Sequence, residues 1–198
     1  MARVSLSTPT LRTARLRLRP FNDLDEDALF ALHCNVNVMR YWDAPPWSER
    51  VRAEQFVAAC REIAEAGTGA RLAVDRVSDG AFIGWCSLTR WNPDFRIVSM
   101  GYCFDDAAWG HGYATEALNA AIHEAFSAGE LEEMQACCVP ENLASRGVLA
   151  RTGFAEERTI RGGAVIRGRH VDVVLYRLTR ADWRRQGVPA PSRRQMRS

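Results

Sequence analysis

Alternating apolar and polar positions predict strands in several parts of the chain. Leu16 and Leu18 alternate with arginines ahead of Pro20, which is the period of a strand closed by a proline. Further along, the turn residues Ser78-Asp79-Gly80 separate two short apolar runs, a pattern typical of a β-hairpin. The run MQACCV is apolar at almost every position, which favours a central strand buried on both faces. The predicted strands cover about residues 15–19, 72–74, 82–83, 97–104, 134–139, 155–160 and 171–178.

Two helices are predicted between the first strand and the hairpin. The acidic segment 23–27 is a favourable start for the first helix, because carboxylates stabilise a helix N-terminus. Ser48 is placed to cap the second helix, which runs from about Glu49 to Ala66 and ends at Gly67. The loop YWDAPPWSER joins the two helices.

Two more helices are predicted in the second half of the chain. The first, ending near Ser127, has one apolar stripe at every fourth position, formed by Ala114, Leu118, Ile122 and Phe126. Asn142 can cap the next, and Gly153 followed by Phe154 matches a common C-terminal cap. The resulting order β-α-α-β-β-β-α-β-α-β-β predicts an α/β fold with a mixed sheet and helices on both faces.

Length and composition set the class of protein. The 198 residues, 47% of them hydrophobic and 25% charged, suit one soluble globular domain. No apolar run approaches the roughly 20 residues of a membrane helix, and the first 20 residues lack the apolar core of a secretory signal, so we expect a cytoplasmic protein. The domain is predicted to span residues 1–183, and the Pro-, Gly- and Arg-rich segment 184–198 is predicted to be a disordered basic tail. RNA binding by that tail is the alternative to a solvated terminus.

Cysteine and charge patterns exclude several kinds of site. The six cysteines include no C-x-x-C pair, so free and mostly buried thiols are expected, with no metal site. The net charge of +2 gives no indication of a DNA partner. All 26 basic residues are arginines, which excludes a phosphate-binding or Schiff-base lysine.

The segment WGHGYATEA places two glycines around His111, directly before a predicted helix. A helix N-terminus presents unpaired N–H groups and partial positive charge, and glycine lets a ligand approach the backbone. A phosphate or diphosphate is the natural ligand of such a turn, whereas a simple tight turn is the alternative. A dinucleotide fingerprint is disfavoured, because Thr115 stands where a third glycine is needed and the next strand ends in Val139-Pro140 instead of an acid.

The segments WGHGYATEAL and ENLASRGVLARTGF, in this order and spacing, resemble the GCN5-related N-acetyltransferases (GNAT superfamily). The opening LRTARLRLRPFNDLD, the residues GF…EE…R and the strand DVVLYRL are similar to the RimJ/RimL-like branch, which includes the enzymes that acetylate the N-termini of ribosomal proteins. The resemblance covers roughly residues 10–182. It implies the acyl-CoA N-acyltransferase fold, an α/β fold with a mixed, mostly antiparallel sheet splayed between two central strands.

The resemblance implies acetyl-CoA as the acetyl donor. The diphosphate would rest on backbone amides of the glycine turn, and the pantetheine arm would run along the strand 100–104. The thioester would lie where this strand and the next one separate, with a backbone amide to stabilise the oxyanion. Trp109 departs from the Gln or Arg that the wider superfamily often has there. The implied cofactor-binding residues are Cys103, Phe104, Trp109, Gly110, His111, Gly112, Tyr113, Ala114 and Asn142.

The acid and base are less clearly indicated. Many relatives use a tyrosine in the helix after the asparagine, and residues 141–154 contain none. Ser145 is the nearest hydroxyl, with simple backbone hydrogen bonding as the alternative role. Asp43 is a candidate to bind or deprotonate the amine, with a solvated loop charge or a water relay as alternatives. Glu116 is interpreted as a packing or capping acid.

The acceptor is expected to lie beside the loop between the first two helices. Tyr41, Trp42 and Trp47 are candidates for an apolar substrate wall, with a local aromatic cluster as the alternative. The first functional hypothesis is acetyl transfer to a primary amine, of a protein N-terminus or a small molecule, by direct attack in a ternary complex. The alternative is a non-catalytic acyl-CoA sensor. Monomer and homodimer both remain open.

Overall fold

A computed structural model describes residues 9–128 and 131–187. The described strands, in chain order, are β1 (Leu11–Arg12), β2 (Leu16–Pro20), β3 (Ala70–Arg76), β4 (Phe82–Asn92), β5 (Ile97–Phe104), β6 (Glu133–Cys138), β7 (Ala155–Ile166) and β8 (Arg169–Thr179). They form one sheet in the order β1-β2-β3-β4-β5-β6-β8-β7. Every neighbouring pair is antiparallel except β5 and β6, which run parallel. The predicted mixed, mostly antiparallel sheet is confirmed.

Helices cover both faces of this sheet, as predicted. They are α1 (Glu26–Cys34), α2 (Val51–Ala66), α3 (Tyr113–Ser127), α4 (Leu143–Arg151) and α5 (Arg180–Arg185). Leu29 of α1 and Val57 of α2 pack with Trp85 in one buried cluster. Leu118 of α3 and Leu149 of α4 belong to the larger cluster on the opposite face. Burial of these apolar stripes against the sheet supplies most of the drive to fold.

The helix ends follow the local signals in most places. Gly67, with φ of 65°, ends α2, and Gly153, with φ of 86°, follows α4. The amide of Phe154 donates to the carbonyl of Leu149 at 3.0 Å, and the Phe154 ring is buried, so the predicted C-terminal cap is confirmed.

The predicted cap at Ser48 is wrong. Helix α2 begins two residues later than expected, at Val51, and no side chain caps its first turn. The carbonyl of Arg50 accepts from the amide of Ala53 at 2.8 Å, and the Arg50 side chain reaches Asp27 of α1 at 2.9 Å. Ser48 stays exposed ahead of the helix.

The C-terminal hairpin is longer than the sequence predicts. β7 and β8 pair across most of RGGAVIRGR, and the chain reverses at Arg167-Gly168, with φ of 50° and 75°. Two consecutive positive φ values are typical of a type I′ turn. The glycine pair Gly162-Gly163 lies at a register shift inside the strand instead of at the turn.

Two short elements were not predicted, namely β1 and α5. Helix α5 runs two residues beyond the expected domain end at Trp183, and the Gln186 side chain donates to the carbonyl of Gly153. The rest of the predicted tail, residues 188–198, lies outside the described residues. Among the described helices, none has both the length and the apolar character that crossing a membrane requires.

Candidate functional site

Two glycines keep the turn before α3 open. Gly110 and Gly112 both have φ of 78°, a conformation that strains any residue with a Cβ. A Cβ on Gly110 would meet no atom within 4 Å, and one on Gly112 would meet only Nη2 of Arg15, at 3.6 Å. The turn is therefore open on the side where side chains at positions 110 and 112 would lie.

The N-terminus of α3 faces this free space. Gly112 occupies the N-cap and has no side chain to cap the helix. The first amides of α3, from Tyr113, Ala114 and Thr115, have no acceptor within the helix, because the first bond inside it runs from Glu116 N to Gly112 O. Unpaired amides and the helix dipole together favour an anion, above all a phosphate group.

Side chains fix the walls of the turn. The indole Nε1 of Trp109 donates to the carbonyl of Phe104 at 2.9 Å, which ties the turn to the end of β5. Nδ1 of His111 lies 2.8 Å from the carbonyl of Trp109, and its ring stacks on Tyr113 with centroids 5.5 Å apart. These contacts hold the turn in place without filling it.

Arg15 is a residue of this site that the sequence analysis missed. Its Nη1 donates to the carbonyl of His111 at 3.0 Å, and its guanidinium lies 4.7 Å from the ring centre of Tyr113. Glu116 accepts from Arg15 Nε at 2.7 Å and from the Thr13 hydroxyl at 2.6 Å. Burial alone would raise the pKa of Glu116, but the hydrogen bonds from Thr13 and Arg15 outweigh it and lower that pKa. Glu116 is thus a structural acid, as expected, and it holds a cation beside the turn.

The sequence gives little sign that Arg15 differs from the arginines that follow it. Arg17 and Arg19 continue the same alternation, yet both pair with the buried carboxylate of Asp75, at 2.7 Å each. Only the packing of β2 against α3 distinguishes the three residues, and one sequence does not reveal that packing.

β5 and β6 separate beside the glycine turn. They pair at three positions only, the last being Ser99 with Gln135, although β5 continues to Phe104 and β6 to Cys138. On its other edge β5 stays paired with β4 as far as Phe104. The β6-facing edge of β5 beyond Ser99 is therefore free to bond to an extended ligand. The predicted splay between two central strands is confirmed.

The separation also explains an error in the expected burial of β6. Cys137 is exposed, whereas the neighbouring Ala136 and Cys138 are buried. Beyond Gln135, β6 has a strand neighbour only on the β8 side, where Cys137 lies opposite Leu175. A central strand is thus uncovered on one edge at the point where the ligand is expected.

Two polar residues predicted for the site begin α4. Asn142 caps the helix, because its side-chain oxygen accepts from the amide of Ser145 at 3.1 Å. The Ser145 hydroxyl lies 2.7 Å from the phenol oxygen of Tyr102 on β5. Burial raises the pKa of Tyr102 well above its ordinary value, partly offset by the hydrogen bond with Ser145. The sequence analysis missed Tyr102, because this tyrosine lies on β5 and not in the helix after Asn142.

The aromatic residues between α1 and α2 divide into two groups. Trp47 stacks on His33 with ring centroids 4.1 Å apart, and Trp42 lies 5.6 Å from Trp85. Both belong to the partly buried edge of the α1–α2 cluster, as in the alternative interpretation. Tyr41 instead reaches across the site, where its hydroxyl donates to the carbonyl of Glu141 at 3.4 Å.

Asp43 lies in the same loop and is exposed. Its carboxylate makes no ion pair or hydrogen bond with the described residues. Its exposure therefore agrees with a solvated charge in the loop between α1 and α2.

Comparison with known proteins decides the family. The model of the acetyltransferase (GNAT) domain matches residues 15–155, a segment that contains the glycine turn, both separated strands and Ser145. The chain belongs to the GNAT acetyltransferases. Within that family its relatives include the RimJ/RimL-like enzymes, as the sequence resemblance indicated.

Three relatives illustrate the range of GNAT proteins that the chain is similar to. The uncharacterized N-acetyltransferase p20 of Bacillus licheniformis is 25% identical over 174 residues, which cover 88% of this chain and 98% of the relative. The ribosomal-protein-serine acetyltransferase of Escherichia coli is 32% identical over 94 residues, 48% of this chain and 52% of the relative. The solved structure of Mycobacterium smegmatis RimJ in complex with CoA-disulfide has a TM-score of 0.76 at 24% identity, covering 89% of this chain and 85% of that one.

GNAT acetyltransferases use acetyl-CoA, and the residues of this site fit it. The open glycine turn suits the diphosphate, because neither Gly110 nor Gly112 places a Cβ in it and Arg15 adds a cation. The free edge of β5 suits the pantetheine arm, which can bond to a strand through its amides.

Proposed function

We propose that the protein is an acetyl-CoA-dependent N-acetyltransferase that acts on a primary amine by direct attack in a ternary complex. The observation that carries the proposal is the open glycine turn at the N-terminus of α3, which lies beside the free edges of β5 and β6. A diphosphate held at the turn and an arm laid along β5 would place a thioester in the gap between the strands. Positioning of this kind accounts for much of the rate of a reaction whose donor is already activated.

The binding residues take distinct roles in this proposal. The amides of the turn, from Gly110 to Ala114, hold the diphosphate, with Trp109 and His111 as its walls. The β6-facing edge of β5 beside Cys103 and Phe104 supplies backbone for the pantetheine arm, and Asn142 contacts it from the start of α4. Acetyl-CoA supplies the activated acetyl group, and the chain supplies orientation and exclusion of water.

Ser145 is the proposed donor to the leaving sulfur. It lies on the first turn of α4, directly after β6, with its hydroxyl in a polar contact at the edge of the gap. A hydrogen bond to a developing thiolate lowers the barrier to its departure. We expect Ser145→Ala to lower kcat about tenfold or more with little change in the Kd for CoA.

The acceptor is an amine, and we propose a protein N-terminus as its first candidate. The support is the similarity to the E. coli enzyme named for a ribosomal protein. Tyr41, which reaches Glu141, is the aromatic residue of the loop 41–47 proposed to contact the acceptor, whereas Trp42 and Trp47 pack against the α1–α2 cluster. Asp43 is proposed to attract the ammonium form of the acceptor, so Asp43→Asn should raise KM more than it lowers kcat.

The experiment is an acetylation assay on the full chain. Purified protein is mixed with acetyl-CoA and a panel of peptides with Ser or Ala at the N-terminus, free amino acids and polyamines, and released thiol and acetylated product are both measured. Turnover of peptides supports both the activity and a protein N-terminus as the acceptor. Turnover of small amines alone supports the activity but makes a small-molecule amine the acceptor. CoA binding by calorimetry without turnover of any amine would contradict catalysis and favour an acyl-CoA sensor.

A further inference from the structure

Tyr102 and Ser145 meet across the opening between β5 and β6. Their oxygens are 2.7 Å apart, and the Tyr102 hydroxyl also lies 3.2 Å from the Ser145 carbonyl. Tyr102 belongs to the part of β5 beyond its last pair with β6, and Ser145 belongs to the helix that follows β6. This pair of hydroxyls therefore spans the gap proposed for the thioester.

The alternation of β5 brings the Tyr102 ring to this place. Met100, Tyr102 and Phe104 share one face of the strand, and all three pack in or against the cluster beneath α3 and α4. The cluster fixes the ring, so the hydroxyl lies at the first turn of α4. Both of its polar contacts go to one residue, Ser145.

The contact changes what the serine hydroxyl can do. A serine in the first turn of a helix ordinarily turns its hydroxyl toward nearby backbone groups. The phenol has one proton, which the carbonyl of Ser145 at 3.2 Å and Oγ of Ser145 at 2.7 Å compete to accept. When Tyr102 donates to the nearer Oγ, the serine proton is left free to point at another acceptor. Burial raises the pKa of Tyr102, so the phenol keeps its proton, and its role as donor, throughout the neutral pH range.

We propose that Tyr102 is a positioning residue, which donates to Ser145 Oγ and directs the Ser145 proton at the sulfur of the departing CoA thiolate. This inference rests on the proposed acetyltransferase function. The C–S bond breaks, its electron pair stays on sulfur, and the C–N bond forms from the amine. The proton that sulfur finally carries comes from the amine through water, so both hydroxyls are unchanged after a turnover.

A second tyrosine provides a matched control. The Tyr176 hydroxyl on β8 accepts from Nε of Arg146 at 3.0 Å, and Arg146 is the residue next to Ser145 on α4. Tyr176→Phe therefore removes one phenol contact to the same helix without touching the Ser145 hydroxyl. A lower kcat in Tyr176→Phe would therefore indicate a general loosening of α4.

The test is a double-mutant cycle in kcat on the full chain, with CoA Kd and melting temperature measured for each variant. Tyr102→Phe is expected to lower kcat about tenfold, which corresponds to the upper range for one hydrogen bond, and to leave the Kd for CoA unchanged. In the Ser145→Ala background the same change should not lower kcat further, because the hydroxyl to which Tyr102 donates is absent. Tyr176→Phe should keep the wild-type kcat.

Three outcomes separate the possibilities. An unchanged kcat in Tyr102→Phe, or losses that multiply in the double variant, overturns the positioning role and leaves the acetyltransferase function standing. No turnover by the wild-type protein on the amine panel overturns both. If Tyr102→Phe melts below the assay temperature, 3-fluorotyrosine at position 102 replaces it, and its more acidic phenol should change kcat only when Ser145 is present. An equal change in Ser145→Ala would contradict the inference.

Discussion

A guanidinium nitrogen of Arg15 lies 3.0 Å from the carbonyl oxygen of His111, although 96 residues separate the two in sequence. Glu116 holds the same guanidinium through its Nε, at 2.7 Å. The contact places a cation at the edge of the glycine turn in a chain that has no lysine. Arg15 is therefore placed to supplement the backbone amides against a bound diphosphate.

Replacing Arg15 with glutamine should weaken CoA binding. A partly exposed cation contributes modestly, so we expect the Kd for CoA to rise about fivefold, or roughly 1 kcal/mol. The difference from wild type should shrink as salt is added, because exposed charges are screened. Titration calorimetry at two salt concentrations measures both effects. Arg52→Gln, an exposed arginine on α2, is the control, and an equal change in both variants would contradict a specific role.

Gly112→Val should block the turn directly. The valine side chain would fill the space that is now open beside Arg15 Nη2 and that the diphosphate is proposed to occupy. The Kd for CoA should therefore rise at least tenfold, about 1.4 kcal/mol or more. Gly80→Val is the matched control, since Gly80 also has positive φ, of 71°, and no atom within 4 Å of a Cβ, but lies in the β3–β4 turn. A folded Gly112→Val protein that binds CoA as tightly as the control would refute binding of the diphosphate at the glycine turn.

Local signals predicted much of this fold, because the features concerned are determined within a few residues. Gly67 and Gly153 ended their helices, and Asn142 capped α4, as their backbone preferences require. The glycine turn and the start of α3 were also found, since both depend on one short segment. The mostly antiparallel pairing and the splay came with the resemblance to the family, and periodicity alone did not predict them.

Contacts between distant segments could not be predicted in the same way. Tyr102 reaches Ser145 across 43 residues, and Arg15 reaches Glu116 across 101. Each depends on which strand lies beside which helix, a property of the folded chain. The cap at Ser48 was also wrong, because α2 begins only at Val51, where Arg50 pairs with Asp27 of α1.

Gly84→Ala should disturb the strand that is proposed to hold the pantetheine arm. A Cβ at this position on β4 would lie 2.3 Å from the carbonyl oxygen of Cys103 and 2.8 Å from the Cα of Phe104. Both neighbours are backbone, so β5 must shift, and we expect a loss of about 1–3 kcal/mol in the free energy of unfolding. CoA binding should weaken as well. Urea unfolding and calorimetry measure the two effects. Gly80→Ala is the control, because it carries the backbone strain of a positive φ but meets no atom and lies outside the site.

The opposite result for Gly84→Ala would be informative. Unchanged stability would mean that the end of β5 moves freely. The free edge beside β6 would then be a poor template for an extended ligand.

His33 should make the stability of the protein depend on pH. Its ring is 3% exposed, and its Nε2 accepts from the indole of Trp85 at 3.1 Å. Burial lowers the pKa of His33 to about 4, from an ordinary 6.5. The unfolded chain therefore binds a proton first as the pH falls, so stability is fully present above pH 6.5 and is lost between 6.5 and 4. Between pH 7 and pH 5 this one group should remove about 2 kcal/mol.

Urea unfolding across that range checks the expectation. His33→Phe keeps the ring volume but removes the titrating group, so its free energy of unfolding should fall less steeply with acid than that of wild type, even though the Trp85 indole loses its acceptor. His170→Phe, at an exposed position of β8, should keep the wild-type slope. Parallel slopes for wild type and His33→Phe would show that His33 carries the same charge in both states. The aromatic cluster beside the acceptor loop would then have to accommodate an imidazolium.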